Sequence, residues 1–164
     1  MKDSGLIKFR EITEEDDAIL AGIIRTNLEA AELDIPGTAY FDPELDHLSQ
    51  YYLADKTSRF YYIAMLDDEI IGGIGLSRLD FYDDCAELQK LYLKDSAKGS
   101  GIGYTMIGLI EEKARELGYK KIYLETHTSL QAAIHIYEKC GYKLIDKPKE
   151  AVHSTMNRFF IKDL

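Results

Sequence analysis

The chain has 164 residues, with 29 acidic against 20 basic side chains and a formal net charge of −9. Apolar residues make up 46% of it, enough for a real core and too many for a disordered chain. The acidity argues against a binder that works by neutralising nucleic-acid phosphates, and no apolar run approaches the roughly 20 residues of a membrane span.

Residues 6–12 alternate and open the chain as a strand. Thr13 follows as an N-cap with Asp16 three places on. Ile19, Ile23, Ile24 and Leu28 then recur at helical spacing, to about Leu33. Residues 34–41, with Pro36-Gly37, break that helix. Asp42-Pro43 has the form of an N-cap with proline at the first helical position, which predicts a second helix to about Leu53. Runs at 59–66 and 70–79 flank the turn Asp67-Asp68-Glu69 as a hairpin. After a turn at 81–84, residues 87–93 alternate as a further strand. Beyond the glycine-rich residues 98–103, Ile102, Met106, Leu109, Ile110, Ala114 and Leu117 form one face of an amphipathic helix. Glu111, Glu112, Arg115 and Glu116 take the other face, and Gly118 is the stop. A strand at 121–126, a helix at 131–139 ended by Gly141, and two strands near 142–146 and 156–161 complete the order βααβββαβαββ. This is an α/β (α+β) arrangement around one sheet, expected to form a single domain over residues 1–164.

Cys85 and Cys140 are too few for a disulfide framework, and His47, His127, His135 and His153 lack metal-ligand spacing, so no metal is expected. The opening MKDSGLIKFREITEED lacks the apolar core of a signal peptide, and a soluble, cytoplasmic protein is expected.

The most informative stretch is Lys98-Gly99-Ser100-Gly101-Ile102-Gly103, between a strand and a long helix. Alternating glycines let outward-facing amides approach a ligand, and the helix dipole adds positive potential, so the loop suits a phosphate or pyrophosphate. It is not a Walker A loop, which needs GxxxxGK[ST]. The dinucleotide pattern GxGxxG also fails, because Tyr104 or Met106 stands where the third glycine belongs. Glu125, downstream at a strand end, sits where a ribose-binding acid would, which keeps a nucleotide-binding protein as an option.

From Glu87 to Leu144 the sequence resembles the GNAT superfamily of N-acetyltransferases. Lys98-x-x-Gly101-x-Gly103 matches that family's Arg/Gln-x-x-Gly-x-Gly/Ala, with lysine in the first place. Ala133, Tyr137, Gly141 and Tyr142 match its Ala-x-x-x-Tyr helix ending in Gly-Phe/Tyr. Leu130 stands where the family commonly has asparagine, seven residues before the tyrosine. The resemblance implies a single mixed, mostly antiparallel central sheet flanked by helices, and acetyl-CoA as co-substrate. The pyrophosphate would rest on the amides of Gly99, Ser100, Gly101, Ile102 and Gly103, with Lys98 as a phosphate contact. Pantetheine would lie alongside Leu91, Tyr92 and Leu93, where the family's sheet splays open. Lys90, Lys94 and Lys98 outnumber Glu87 and Asp95 and would help an anionic cofactor approach; plain solvated surface is an equal alternative for Lys90 and Lys94.

Acetyl transfer by direct attack needs a deprotonated amine, a donor to the tetrahedral oxyanion and a proton for the leaving thiolate. The resemblance gives the proton donor as Tyr137, and an amide near Leu91 is the simplest oxyanion donor. Glu87 and Glu125 are both candidates for the base, through a water, and both suit a structural ion pair equally; His127 is a third option. Residues 29–55 hold seven acids, no lysine or arginine, and the pairs Tyr40-Phe41 and Tyr51-Tyr52. Without those acids the rest of the chain carries only −2. The segment suits a cationic amine of a small molecule or peptide, or is simply a solvated face. The alternative to an enzyme is a non-catalytic CoA-binding or regulatory module. Oligomeric state is open, a homodimer included.

Overall fold

The computed structural model describes residues 5–151 and 154–164, so His153 lies outside the described residues. Strands β1 (Ile7–Glu11), β2 (Phe60–Leu66), β3 (Glu69–Arg78), β4 (Cys85–Leu93), β5 (Lys121–Thr126), β6 (Lys143–Ile145) and β7 (Arg158–Asp163) form one sheet in the order β1-β2-β3-β4-β5-β7-β6. Every neighbouring pair is antiparallel except β4–β5. The helices are α1 (Asp17–Ala30), α2 (Leu48–Leu53), α3 (Ile102–Glu116) and α4 (Gln131–Lys139). The order of elements is the one the sequence predicts.

Alternate residues of β2 feed two apolar clusters, which therefore lie on opposite faces of the sheet. Tyr61 and Ile63 join Leu20, Ile24, Leu28 and Leu48 under α1 and α2. Ala64 joins Met106, Ile110, Ala114 and Tyr137 under α3 and α4. On α1 the buried stripe is centred on Leu20, Ile24 and Leu28, which turns Ile19 outward at 50% exposure, off the apolar face expected for it. Asp16 does close the turn after β1: its carboxylate accepts the Thr13 N–H at 2.8 Å and both guanidinium nitrogens of Arg10.

Two expectations are corrected by long-range partners. Residues 42–47 make only short turns, and α2 begins at Leu48. Its first turn is capped from α1, where the buried Asp17 carboxylate accepts the Ser49 N–H at 2.9 Å and hydroxyl at 2.6 Å. Asp42 is drawn instead to Lys90. Glu111 belongs to the buried side of α3, because the Tyr142 hydroxyl and the Lys162 ammonium both bind its carboxylate. Among the described residues no helix is long and apolar enough to cross a membrane.

Candidate active site

β4 and β5 pair only through Cys85, Ala86 and Glu87, opposite Lys121, Ile122 and Tyr123. Beyond Glu87 the two strands part. A cleft of about 570 Å³ opens there, lined by β4 from Glu87 to Leu93, by Glu125 at the end of β5, by the loop before α3 and by Tyr137 on α4.

The open edge of β4 is set by a bulge. Gly73 pairs with Tyr92 and Gly75 with Gln89, so Lys90 and Leu91 together stand opposite Ile74. Lys90 has φ +50, a left-handed conformation that costs a residue with a side chain about 1–3 kcal/mol. Its carbonyl accepts the Tyr61 hydroxyl at 2.8 Å. Tyr61 can lie flat there because a Cβ on Gly73 would fall 2.2 Å from its ring. Beyond the bulge Lys94 N–H donates to Ile71 O on β3. By strand alternation, the backbone groups of Leu91 and Leu93 therefore face the open side. Leu93 O accepts from Asn27 Nδ2 of α1 at 2.9 Å, in keeping with that direction. Leu91 and Leu93 pack their side chains toward α3 and α4, whereas Tyr92 packs toward α1 and α2.

In the loop before α3, Lys98, Gly99, Gly101, Ile102 and Gly103 line the cleft. Gly101 caps α3 with φ +84, which glycine adopts without strain and which leaves the first amides of the helix facing the cleft. Ser100 turns its hydroxyl to Ala97 O. The expected cationic rim is already paired: Lys98 with Asp95, Lys94 with Glu69, and Lys90 with Asp42 on the opposite side of the sheet from α3. Lys90 is therefore neither solvated surface nor part of an anion-attracting rim.

Tyr137 is 5% exposed and packs against Tyr142 and Phe160. Among the described residues no hydrogen bond engages its hydroxyl, and no buried side-chain polar atom lacks a partner, which leaves that hydroxyl open to the cleft. Burial, with a smaller contribution from Tyr92, pushes its pKa well above the ordinary phenol value. Glu87 and Glu125 lie on the same face of adjacent strands, since Glu87 is in register with Tyr123 and Glu125 follows two residues later. Glu87 accepts Gln89 Nε2 at 2.7 Å, and Gln89 in turn accepts the Tyr52 hydroxyl at 2.8 Å. Glu125 accepts the Tyr123 hydroxyl at 2.7 Å. His127 does not line the cleft; its Nδ1 accepts the Ser129 N–H.

The acids of residues 29–55 are largely engaged. Asp46 forms a bidentate pair with Arg25, Asp42 and Glu44 approach Lys90, and Asp55 holds Thr57 and Ser58. Their cations come from α1 and β4, outside the segment, which is why the segment's own composition overstates its charge. The same segment meets the turn before β7: Thr155 N–H donates to Gly37 O, and its hydroxyl to Pro36 O at 2.7 Å. Ala39 and Met156, beside this clasp, line the cleft. Sequence reasoning missed Asn27, Tyr61 and Gln89, and named Tyr52 only as an acceptor-side aromatic rather than as the partner of Gln89. Of these only Gln89 carried a local signal, being two residues from Glu87 on an alternating strand.

A sheet parted at a bulge, with a glycine-capped helix beneath it, is the acyl-CoA N-acyltransferase fold of known structures. A GNAT-family acetyltransferase from Staphylococcus aureus superposes with a TM-score of 0.84 at 21% identity, covering 96% of this chain and 99% of that one. The PaiA N-acetyltransferase from Thermoplasma acidophilum, crystallised with coenzyme A, gives 0.77 at 20% identity, covering 97% and 99%. The acetyltransferase (GNAT) family model matches residues 27–142. The uncharacterized N-acetyltransferase YjgM of Escherichia coli is 34% identical over 139 residues, 84% of this chain and 82% of that protein. The chain spans about half the length of the vertebrate N-acetyltransferases it also matches. The chain belongs to the acetyltransferase (GNAT) family, and its enzyme class is N-acetyltransferase.

Proposed function

We propose that residues 1–164 form one domain that transfers the acetyl group of acetyl-CoA directly to a primary amine of a small molecule or peptide. The observation that carries this reading is the meeting of four features in one cleft: the open edge of β4, the glycine loop, Tyr137 and the two glutamates. The crystallised coenzyme A complex of the PaiA protein supports the choice of cofactor. The amides of Gly99 to Gly103 hold the pyrophosphate, and the β4 edge at Leu91 and Leu93 pairs with pantetheine as an added strand. One carboxylate, Glu87 or Glu125, takes the ammonium proton through a water. The amine nitrogen attacks the thioester carbonyl, the Leu91 N–H stabilises the oxyanion, and the C–S bond breaks as Tyr137 protonates the thiolate. The clasp between Pro36-Gly37 and Thr155 holds the acceptor-side segment beside the cleft residues Ala39 and Met156. The free thiols Cys85 and Cys140 suit a cytoplasmic setting.

The test is release of free CoA thiol from acetyl-CoA across a panel of polyamines, amino acids and peptides, beside thermal stabilisation by acetyl-CoA, NAD and ATP. Amine-dependent thiol release with stabilisation by acetyl-CoA alone is expected. Stabilisation without release for any amine would favour a CoA-binding module, and stabilisation by NAD or ATP instead would overturn the cofactor.

A further inference from the structure

Among the described residues lining the cleft, Lys90 is the non-glycine residue with a left-handed backbone, and its charged side chain is withdrawn from the cleft's cofactor side. Such a conformation persists only where the surroundings hold it. Two groups grip the residue from opposite ends. The Tyr61 hydroxyl binds its carbonyl at 2.8 Å. Its Nζ lies 2.8 Å from Asp42 Oδ2 and 3.8 Å from Glu44 Oε1, with the lysine side chain 7% and the Asp42 side chain 14% exposed.

We propose that Lys90 is a positioning residue, whose buried ion pair with Asp42 pins the β4 bulge and thereby aims the next amide, Leu91 N–H, at the acetyl carbonyl. The proposal rests on the acetyl-transfer reading and deepens it. In a strand the backbone and side-chain directions alternate, so a residue 90 relaxed to extended geometry would turn the following groups to the other side. Leu91 N–H would then leave the open edge. An ion pair this far from water is costly to break, because removing one partner leaves the other's charge buried with less to balance it. It therefore holds a strained turn more firmly than an exposed pair does. Asp42 belongs to the segment between α1 and α2, so the same pair ties one wall of the cleft to the strand that carries the oxyanion donor.

The test compares Lys90→Met, which keeps the stem and removes the charge, with Lys90→Arg, which keeps the charge. Three quantities are read: kcat for transfer, Kd for acetyl-CoA, and the slow hydrolysis of acetyl-CoA by water without any amine. Hydrolysis also passes through an oxyanion and needs no acceptor, so it separates aim of the amide from acceptor binding. The Met variant should lose about tenfold or more in both kcat and hydrolysis while Kd stays within about twofold, and the Arg variant should recover most of the loss. Unchanged hydrolysis with only the acceptor KM raised would overturn the proposal and leave the pair as a wall of the acceptor pocket. If Lys90→Met does not fold, Asp42→Asn replaces it, with the same pattern expected and unchanged kcat and hydrolysis overturning it. If the native enzyme transfers no acetyl group to any amine, the functional reading fails, and the pin is then read from amide hydrogen exchange at Gly73 and Tyr92. Faster exchange in whichever variant folds, Lys90→Met or Asp42→Asn, supports it; identical exchange overturns it.

Discussion

On one side of the cleft, facing α3 and α4, the groups proposed to hold acetyl-CoA are backbone: the edge of Leu91 and Leu93 and the amides after Gly99. On the other, facing α1 and α2, the wall is made of side chains brought from distant segments: Lys90 to Asp42, Asn27 to Leu93, Tyr52 to Gln89 and Thr155 to Pro36. The geometry of the glycine loop is written locally and withstands exchange of neighbouring side chains, whereas the β4 bulge leans on the opposite wall through Lys90 and Asp42. A wall assembled from long-range pairs is specific, and each pair is a point at which it fails. Substitutions on the first side should therefore change cofactor affinity, and those on the second should change turnover or acceptor use.

The largest effect is expected at Tyr137, the one α4 side chain proposed to act on the leaving thiolate. Tyr137→Phe should lower kcat by about 10²-fold with acetyl-CoA affinity almost unchanged, as measured by steady-state kinetics beside calorimetric titration. Because burial raises its pKa, the phenol keeps its proton well into the alkaline range. Turnover should thus rise with pH as the amine deprotonates, with no descending limb near pH 10, where an ordinary tyrosine titrates. A fall there would show that the acid is some other group.

Next in size come the glutamates. Of Glu87→Gln and Glu125→Gln, the one that removes the base should cost about tenfold or more in kcat. The other should leave kcat within about twofold of the native value. Equal, small effects from both would make them structural acids and break the mechanism on the acceptor side.

The contrast between the sides also explains what could be read from the chain. The helix stops at Gly118 and Gly141, both with positive φ, and the glycine loop before α3 are local chemistry, and all are legible. So is the order of elements, which follows from hydrophobic period alone. Asp42-Pro43, by contrast, carries a valid helix-start signal that tertiary structure overrides: Lys90 claims the aspartate, and Asp17 caps α2 from 32 residues away. Glu111 is misread for the same reason, since its partners Tyr142 and Lys162 lie far along the chain. The seven acids of residues 29–55 fit a cation site in composition, yet Arg25 and Lys90 already answer several of them.

Two smaller effects sharpen the comparison. Gly101→Ala puts a Cβ into open space, so its penalty is purely that of φ +84. It should weaken acetyl-CoA binding by about five- to tenfold, near 1 kcal/mol, with acceptor KM unchanged. Thr155→Val removes one hydrogen bond of the clasp and keeps the shape. It should raise acceptor KM by about two- to threefold and leave acetyl-CoA affinity alone. An exchange of these two outcomes would mean that the sides have been assigned the wrong way round.

The most direct measurement is a crystal structure of the protein with coenzyme A. The pyrophosphate is expected on the amides of Gly99 to Gly103, pantetheine along Leu91 and Leu93, and the thiol sulfur within hydrogen-bonding reach of the Tyr137 hydroxyl, as the acetyl-transfer mechanism requires. Coenzyme A bound elsewhere, or its thiol turned away from Tyr137 and the parted strands, would contradict it.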